Sequence, residues 1–202
     1  MNRFFRSPLP ATALSLALSL PLSLPLFLAL PASAAEVAGT HIDDKAIVAG
    51  SDLTLNGAGL RTRFMLKIYT IGLYLPKRGE APLATTSGPR RIQIVTLREL
   101  SAEDFANALI DGIRKNHSDT ELAGLQSRVE EFRSVLLGIR TAPSGTQVRI
   151  DWLPANGTRL IINNEVRGKD IAGEDFYRAL LRIWIGDKPI DEDLKNALLG
   201  KR

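Results

Sequence analysis

Apolar residues recur along the chain at two spacings, and these divide it into strands and helices. Residues 46–55 carry the short alternation of a strand or strand pair around Gly50-Ser51. Gly57-Ala58-Gly59 reads as a tight turn, followed by a long extended segment from Leu60 to Leu75. In that segment Phe64, Leu66, Ile68 and Thr70 share one parity, and Arg61, Arg63, Met65, Lys67 and Tyr69 share the other. After Thr70 the apolar parity passes to Ile71, Leu73 and Leu75, a flip that predicts a bulge or bend at Gly72. A loop rich in Pro, Gly, Ser and Thr spans 76–89, and residues 91–97 form another strand.

Helical spacing then takes over. Ser101 caps a helix with Phe105, Leu109 and Ile113 on one face. Asp119 caps a second, whose stripe is Leu122, Leu125, Val129, Phe132 and Leu136 and which ends at Gly138. Val148, Ile150 and Trp152 alternate in a strand, and Pro154-Ala155-Asn156-Gly157 turns it into a partner over 158–163. A third helix covers 174–185, with Phe176, Leu180, Ile183 and Trp184 on its apolar side. Asp191 caps a last short helix that points Leu194 and Leu198 inward. This order lacks the strict strand–helix alternation of a doubly wound sheet. It predicts an α+β fold, an antiparallel β-sheet with a layer of helices on one face. No repeat or linker marks a second domain, so residues 35–202 read as one domain.

The first 34 residues do not belong to that pattern. Arg3 and Arg6 precede an apolar run from Ala11 to Leu30, broken by Pro21 and Pro25, and Ala32-Ser33-Ala34 is a small-residue cleavage pattern. This is the grammar of a secretory signal peptide cut after Ala34. It predicts a periplasmic or secreted protein with no stable membrane insertion after cleavage. The absence of cysteine fits a bacterial periplasm and removes thiol chemistry, disulfides and Cys-based metal sites.

Loss of Arg3 and Arg6 lowers the formal net charge from +4 to +2. No basic block remains, which argues against nucleic acid as a partner. No phosphate loop, G-x-S-x-G, H-E-x-x-H or dinucleotide fingerprint occurs. With two histidines, His41 and His117, a His-rich metal site is not expected. One feature stands apart. Arg61 follows the paired glycines and enters a strand dense with apolar residues, with Tyr69 and Thr70 at the parity flip. Alternation alone would put Arg61, Arg63 and Lys67 in a solvent-facing basic stripe. If Arg61 instead faces a cleft between sheet and helices, its planar donors suit a carboxylate or phenolate.

The runs Leu55-Asn56-Gly57-Ala58-Gly59-Leu60-Arg61 and Lys67-Ile68-Tyr69-Thr70-Ile71-Gly72-Leu73-Tyr74-Leu75 resemble the N-terminal signature of chalcone isomerase. The run from Asp175 to Pro189, with Arg182-Ile183-Trp184-Ile185-Gly186 at its centre, is similar to the bacterial exported branch of that family. The resemblance implies an antiparallel sheet, a helical layer and an apolar cleft between them. It implies intramolecular addition chemistry in which an arginine holds the developing oxyanion while a threonine and a tyrosine orient a water. Arg61 matches the arginine and Thr70 the threonine. The tyrosine position falls on Phe105, the asparagine position on Gly112, and the Ser/Thr position near Tyr177. A lost polar group at such a site costs about 10²–10³ in rate.

The expected function is therefore non-catalytic binding of a small apolar or amphipathic anion, such as a fatty acid. Arg61 would be its anchor, with Thr70, Tyr69, Phe105, Leu109 and Tyr177 around it. The alternatives are a structural or partner-binding role with the cleft filled by side chains, an isomerase or lyase in which Tyr69 or Tyr177 replaces the missing hydroxyl, and haem binding. No cofactor is expected. Haem would need His41, His117, Met65 or a tyrosine as axial donor.

Overall fold

The computed structural model describes residues 34–79, 83 and 88–201. The leader assigned to residues 1–34 lies, except for Ala34, outside the described residues, as does part of the 76–89 loop.

The chain runs β1 (Ala34–Val37), β2 (Thr40–Asp43), β3 (Lys45–Val48), β4 (Ser51–Arg63), β5 (Leu66–Leu75), β6 (Arg90–Thr96), β7 (Leu100–Ser101), α1 (Ala102–Lys115), α2 (Asp119–Leu137), β8 (Thr141–Ala142), β9 (Gln147–Leu153), β10 (Gly157–Ile162), β11 (Glu165–Ile171), α3 (Glu174–Ile185) and α4 (Glu192–Leu198). Seven strands form one sheet in the order β11-β10-β9-β6-β5-β4-β3, with every neighbouring pair antiparallel. The helices cover one face. The fold is the α+β architecture that the element order predicts.

α3 is the centre of the helical layer. Phe176, Tyr177, Leu180, Leu181, Ile183 and Trp184 are all at most 1% exposed, so it is apolar nearly all round. It packs with Leu109 and Ile113 of α1, Leu194 and Leu198 of α4, and Ile71, Leu73, Ile92, Ile94 and Ile150 of the sheet. The opposite sheet face carries a second core of Leu53, Leu55, Tyr74 and Leu153, to which β2 contributes Ile42. Tyr74 donates its hydroxyl hydrogen to the Asp43 carbonyl, 2.9 Å away, and ties the β1–β2 hairpin down.

Three local expectations are corrected. Gly57-Ala58-Gly59 is not a turn but lies inside β4. A Cβ on Gly57 would sit 2.1 Å from the Ala197 carbonyl oxygen, and one on Gly59 would sit 2.6 Å from Leu194 Cδ1. The glycines exist to let α4 rest on the strand. The chain reverses instead at Phe64-Met65, which connect Arg63 to its partner Leu66 with φ of 49° and 63°. Two positive φ values in a two-residue loop are the type I′ turn, ordinarily announced by Asn-Gly. Leu60–Leu75 is therefore a hairpin, and its bulges fall between Leu55 and Gly57 and between Arg61 and Thr62, not at Gly72. The parity flip arises because β5 is buried on both faces from Tyr69 to Leu75.

Ser118, rather than Asp119, caps α2. Its hydroxyl accepts from the Glu121 N–H, and the Glu121 carboxylate accepts the Ser118 N–H, forming a capping box. The N-terminal hairpin and β11 carry no clear apolar alternation. β11 is an edge strand with four charged residues among its seven, Glu165, Arg167, Lys169 and Asp170, and the charge blunts its open edge.

Candidate functional site

Beyond the bulge after Leu55, Gly57, Gly59 and Arg61 face α4. Arg61 is thereby delivered to the helical side of the sheet, directly opposite Tyr69 in the β4–β5 register. Its Nη1 donates to Asp191 Oδ2 at 2.9 Å and to the Thr62 carbonyl at 2.6 Å. The pair is half-buried, with side-chain exposures of 17% and 19%. Arg61 thus lies in neither a solvent-facing stripe nor an open cleft. Asp191 has two tasks, since its Oδ1 accepts the Leu194 N–H at 3.0 Å and caps α4.

Behind the ion pair, the Tyr69 hydroxyl accepts the Trp184 Nε1–H at 3.0 Å. Phe105 meets the Tyr69 ring edge-on, with centroids 6.4 Å apart, and Leu109 lies in the same apolar core. Burial pushes the Tyr69 phenol up to about 12, although the Trp184 hydrogen bond and Arg61 pull the other way. At neutral pH the site holds a guanidinium, a carboxylate and an uncharged phenol. This set can trade one carboxylate for another on Arg61.

The other expected members are elsewhere. Thr70 is fully buried, but it follows Tyr69 on the strand and so points to the opposite sheet face. Gly72, on the same side, would meet Ile42 and Leu55 of the second core. The Thr70 hydroxyl has no hydrogen-bond partner among the described residues. Tyr177 is seven residues before Trp184 on α3, about 10 Å along the axis. It stacks under Arg90, whose guanidinium carbon is 5.4 Å from the ring centroid, and beside Trp152. Burial raises its phenol pKa strongly. Gly112 is where α1 crosses α3, and a Cβ there would be 2.8 Å from Ile183 Cγ2. An asparagine does not fit that crossing. The donors open to haem are scattered: His41 is exposed on β2, His117 bonds the Ile113 carbonyl at the end of α1, and Met65 sits at the hairpin tip.

Between the layers the structure is tightly packed. One void of about 10 Å³ is lined by Ile71, Leu73, Leu181, Trp184 and Leu198 beneath α4. Another of about 20 Å³ lies beside Phe105, Leu136 and Val148. Each holds about one water at most. Asp191 and Trp184, which complete the Arg61 cluster, register in the sequence only as a helix cap and a core residue.

All three tyrosines of the chain are buried. Burial pushes Tyr74, like Tyr69, up to about 12. A phenol whose folded pKa exceeds its unfolded value of 10 stabilises the fold fully below pH 10 and loses that contribution as pH rises towards 12. Alkaline titration followed by tyrosinate absorbance and circular dichroism together should show both changing in one transition. Tyrosinate appearing well before the fold is lost would contradict this.

Fold and site together define an antiparallel sheet and a helical layer that hold a half-buried arginine at their margin. The chain belongs to the chalcone isomerase-like family, whose profile matches residues 34–200. Among solved structures it is similar to a fatty-acid binding protein of Arabidopsis thaliana, at 16% identity and a TM-score of 0.59, covering 80% of this chain and 92% of that one. That likeness is one of fold. No curated protein sequence matches the chain.

Proposed function

We propose that this is an exported, non-catalytic binding protein that takes a small apolar or amphipathic anion of the fatty-acid type between sheet and helices, with Arg61 as the anchor. The observation that carries the proposal is the double role of Asp191. A ligand carboxylate that competes for Arg61 competes for the residue that holds α4 in place, and α4 covers the apolar void. Binding and opening are then one event. The fatty-acid binding protein of similar fold supports the same class of ligand, and the leader-like residues 1–34 support export to the periplasm. Intramolecular lyase chemistry draws less support, because Thr70 and Arg61 point to opposite faces of the sheet and Phe105 and Gly112 lack the polar groups the reaction uses.

The test is direct titration with a long-chain fatty acid and its uncharged methyl ester. Arg61→Ala should weaken acid binding by about tenfold or more, the usual worth of a hydrogen bond to a charged group, and leave the ester unchanged. Asp191→Asn should strengthen acid binding, because asparagine caps a helix as well as aspartate does but does not neutralise Arg61. Equal affinity of the parent and Arg61→Ala for the acid would remove Arg61 as the anchor. Native mass spectrometry of the processed protein, before and after organic extraction, would show whether a carboxylic acid is carried from the cell.

A further inference from the structure

The tip of the β4–β5 hairpin presents Phe64, Met65 and Leu66 to solvent at 85%, 97% and 52% exposure. Exposed Arg63 and Lys67 flank them, and no acidic residue occurs from Leu60 to Leu75. The Arg63 guanidinium lies 5.3 Å from the Phe64 ring centroid. The other large exposed apolar residues among those described, Ile47 and Val166, stand singly and call for no explanation.

The tip is unfavourable to the folded protein on two counts. It exposes three consecutive apolar side chains, and it places two bulky residues at positive φ, where Asn-Gly would sit without strain. Strain of that kind persists where a function requires it. A convex tip of three side chains falls well short of the 800 Å² or so per partner that a specific protein interface buries. The pattern, an aromatic and two aliphatic residues between two long basic side chains, matches the boundary between lipid headgroups and acyl chains.

We propose that this hairpin tip docks on the surface of an anionic lipid bilayer. Phe64, Met65 and Leu66 enter the headgroup–acyl boundary, and Arg63 and Lys67 pair with lipid phosphates. The proposal does not rest on ligand binding, though it would bring Arg61, two residues from Arg63 on the same strand, close to the source of an amphipathic anion.

The test uses the processed protein recovered from an exporting cell. Its N-terminus is checked by mass and is the same in every variant, so residues ahead of the domain contribute equally. Trp152 and Trp184 are buried, at 7% and 1% exposure, so Phe64→Trp introduces an indole that alone reports the tip. With vesicles of mixed phosphatidylglycerol and phosphatidylcholine, its emission should shift to the blue and resist quenching by iodide. Vesicles of phosphatidylcholine alone should give little change. In the otherwise unaltered chain, Phe64→Asn with Met65→Gly should lower the vesicle partition coefficient by about tenfold or more. The melting temperature should not fall, since the turn gains its preferred residues. Arg63→Gln with Lys67→Gln should remove the preference for anionic lipid, by about thirtyfold for two charges. An indole that responds to neither vesicle, together with sedimentation that the variants leave unchanged, would overturn the proposal. So would the Asn-Gly variant converting a dimer to a monomer, which would assign the tip to a second copy of the chain.

Discussion

Gly57→Ala is expected to lower stability by about 3 kcal/mol and to loosen α4, although the substitution adds a single methyl group. The added carbon would sit 2.1 Å from the Ala197 carbonyl oxygen and 2.7 Å from that of Leu198. Both are backbone atoms and cannot rotate away. Either β4 or α4 must move, and β4 at this point is held by its pairing with β5, where Gly57 stands opposite Leu73. α4 has seven residues, so it is the part that yields. Its displacement would break the bond from Asn56 Nδ2 to the Leu198 carbonyl, 2.6 Å, and take Asp191 off Arg61. Gly59→Ala is the control. There the nearest atom is Leu194 Cδ1, the end of a side chain that can change rotamer, so the cost should be about 1 kcal/mol. Urea titration of both variants, with limited proteolysis of the C-terminal segment, checks the pair. Equal destabilisation would mean that the contact with α4 does not decide the cost.

Arg91→Ala should be more damaging still, at about 3–5 kcal/mol, a large part of the total stability of an ordinary domain. Arg91 on β6 stands opposite Asp151 on β9, and its Nε and Nη2 donate to the two carboxylate oxygens at 2.6 Å each. The side chains are only 9% and 4% exposed. Removing the arginine leaves the buried Asp151 carboxylate without its two donors, with Arg159 across the strand and Arg149 as the nearest remaining cations. Arg91→Met with Asp151→Leu removes both charges and keeps most of the volume, so it should recover most of the loss. Denaturation midpoints of the single and double variants measure this. A double variant as unstable as the single one would show that volume, and not the stranded charge, sets the cost.

Both predictions concern residues that the linear pattern describes incompletely. Two nearby glycines are a turn signal in most contexts, yet here they are the floor on which a helix 140 residues later comes to rest. Arg91 lies in a strand that alternation predicts, but nothing local says that its charge is buried. The reverse error occurs at Phe64-Met65, where bulky residues occupy a turn that sequence rules reserve for Asn-Gly. Thr70 and Arg61 pair in the family signature, and only the β4–β5 register, which sets Arg61 opposite Tyr69, and the alternation of β5 reveal that they look in opposite directions.

Some features needed nothing beyond the chain itself. Alternation and helical spacing, which depend only on how side chains leave a strand or a helix, determined the α+β class, the helices α1, α3 and α4, their caps at Ser101 and Asp191, and the 147–162 hairpin. The family motifs determined that Arg61 was the residue to follow. Tertiary structure alone decided that Arg61 is held by Asp191, that Tyr69 is bound to Trp184, and that Tyr177 lies under Arg90. Each of those contacts joins positions far apart in sequence. Their distance depends on the register of the sheet and the seating of α4, quantities to which no local spacing is sensitive.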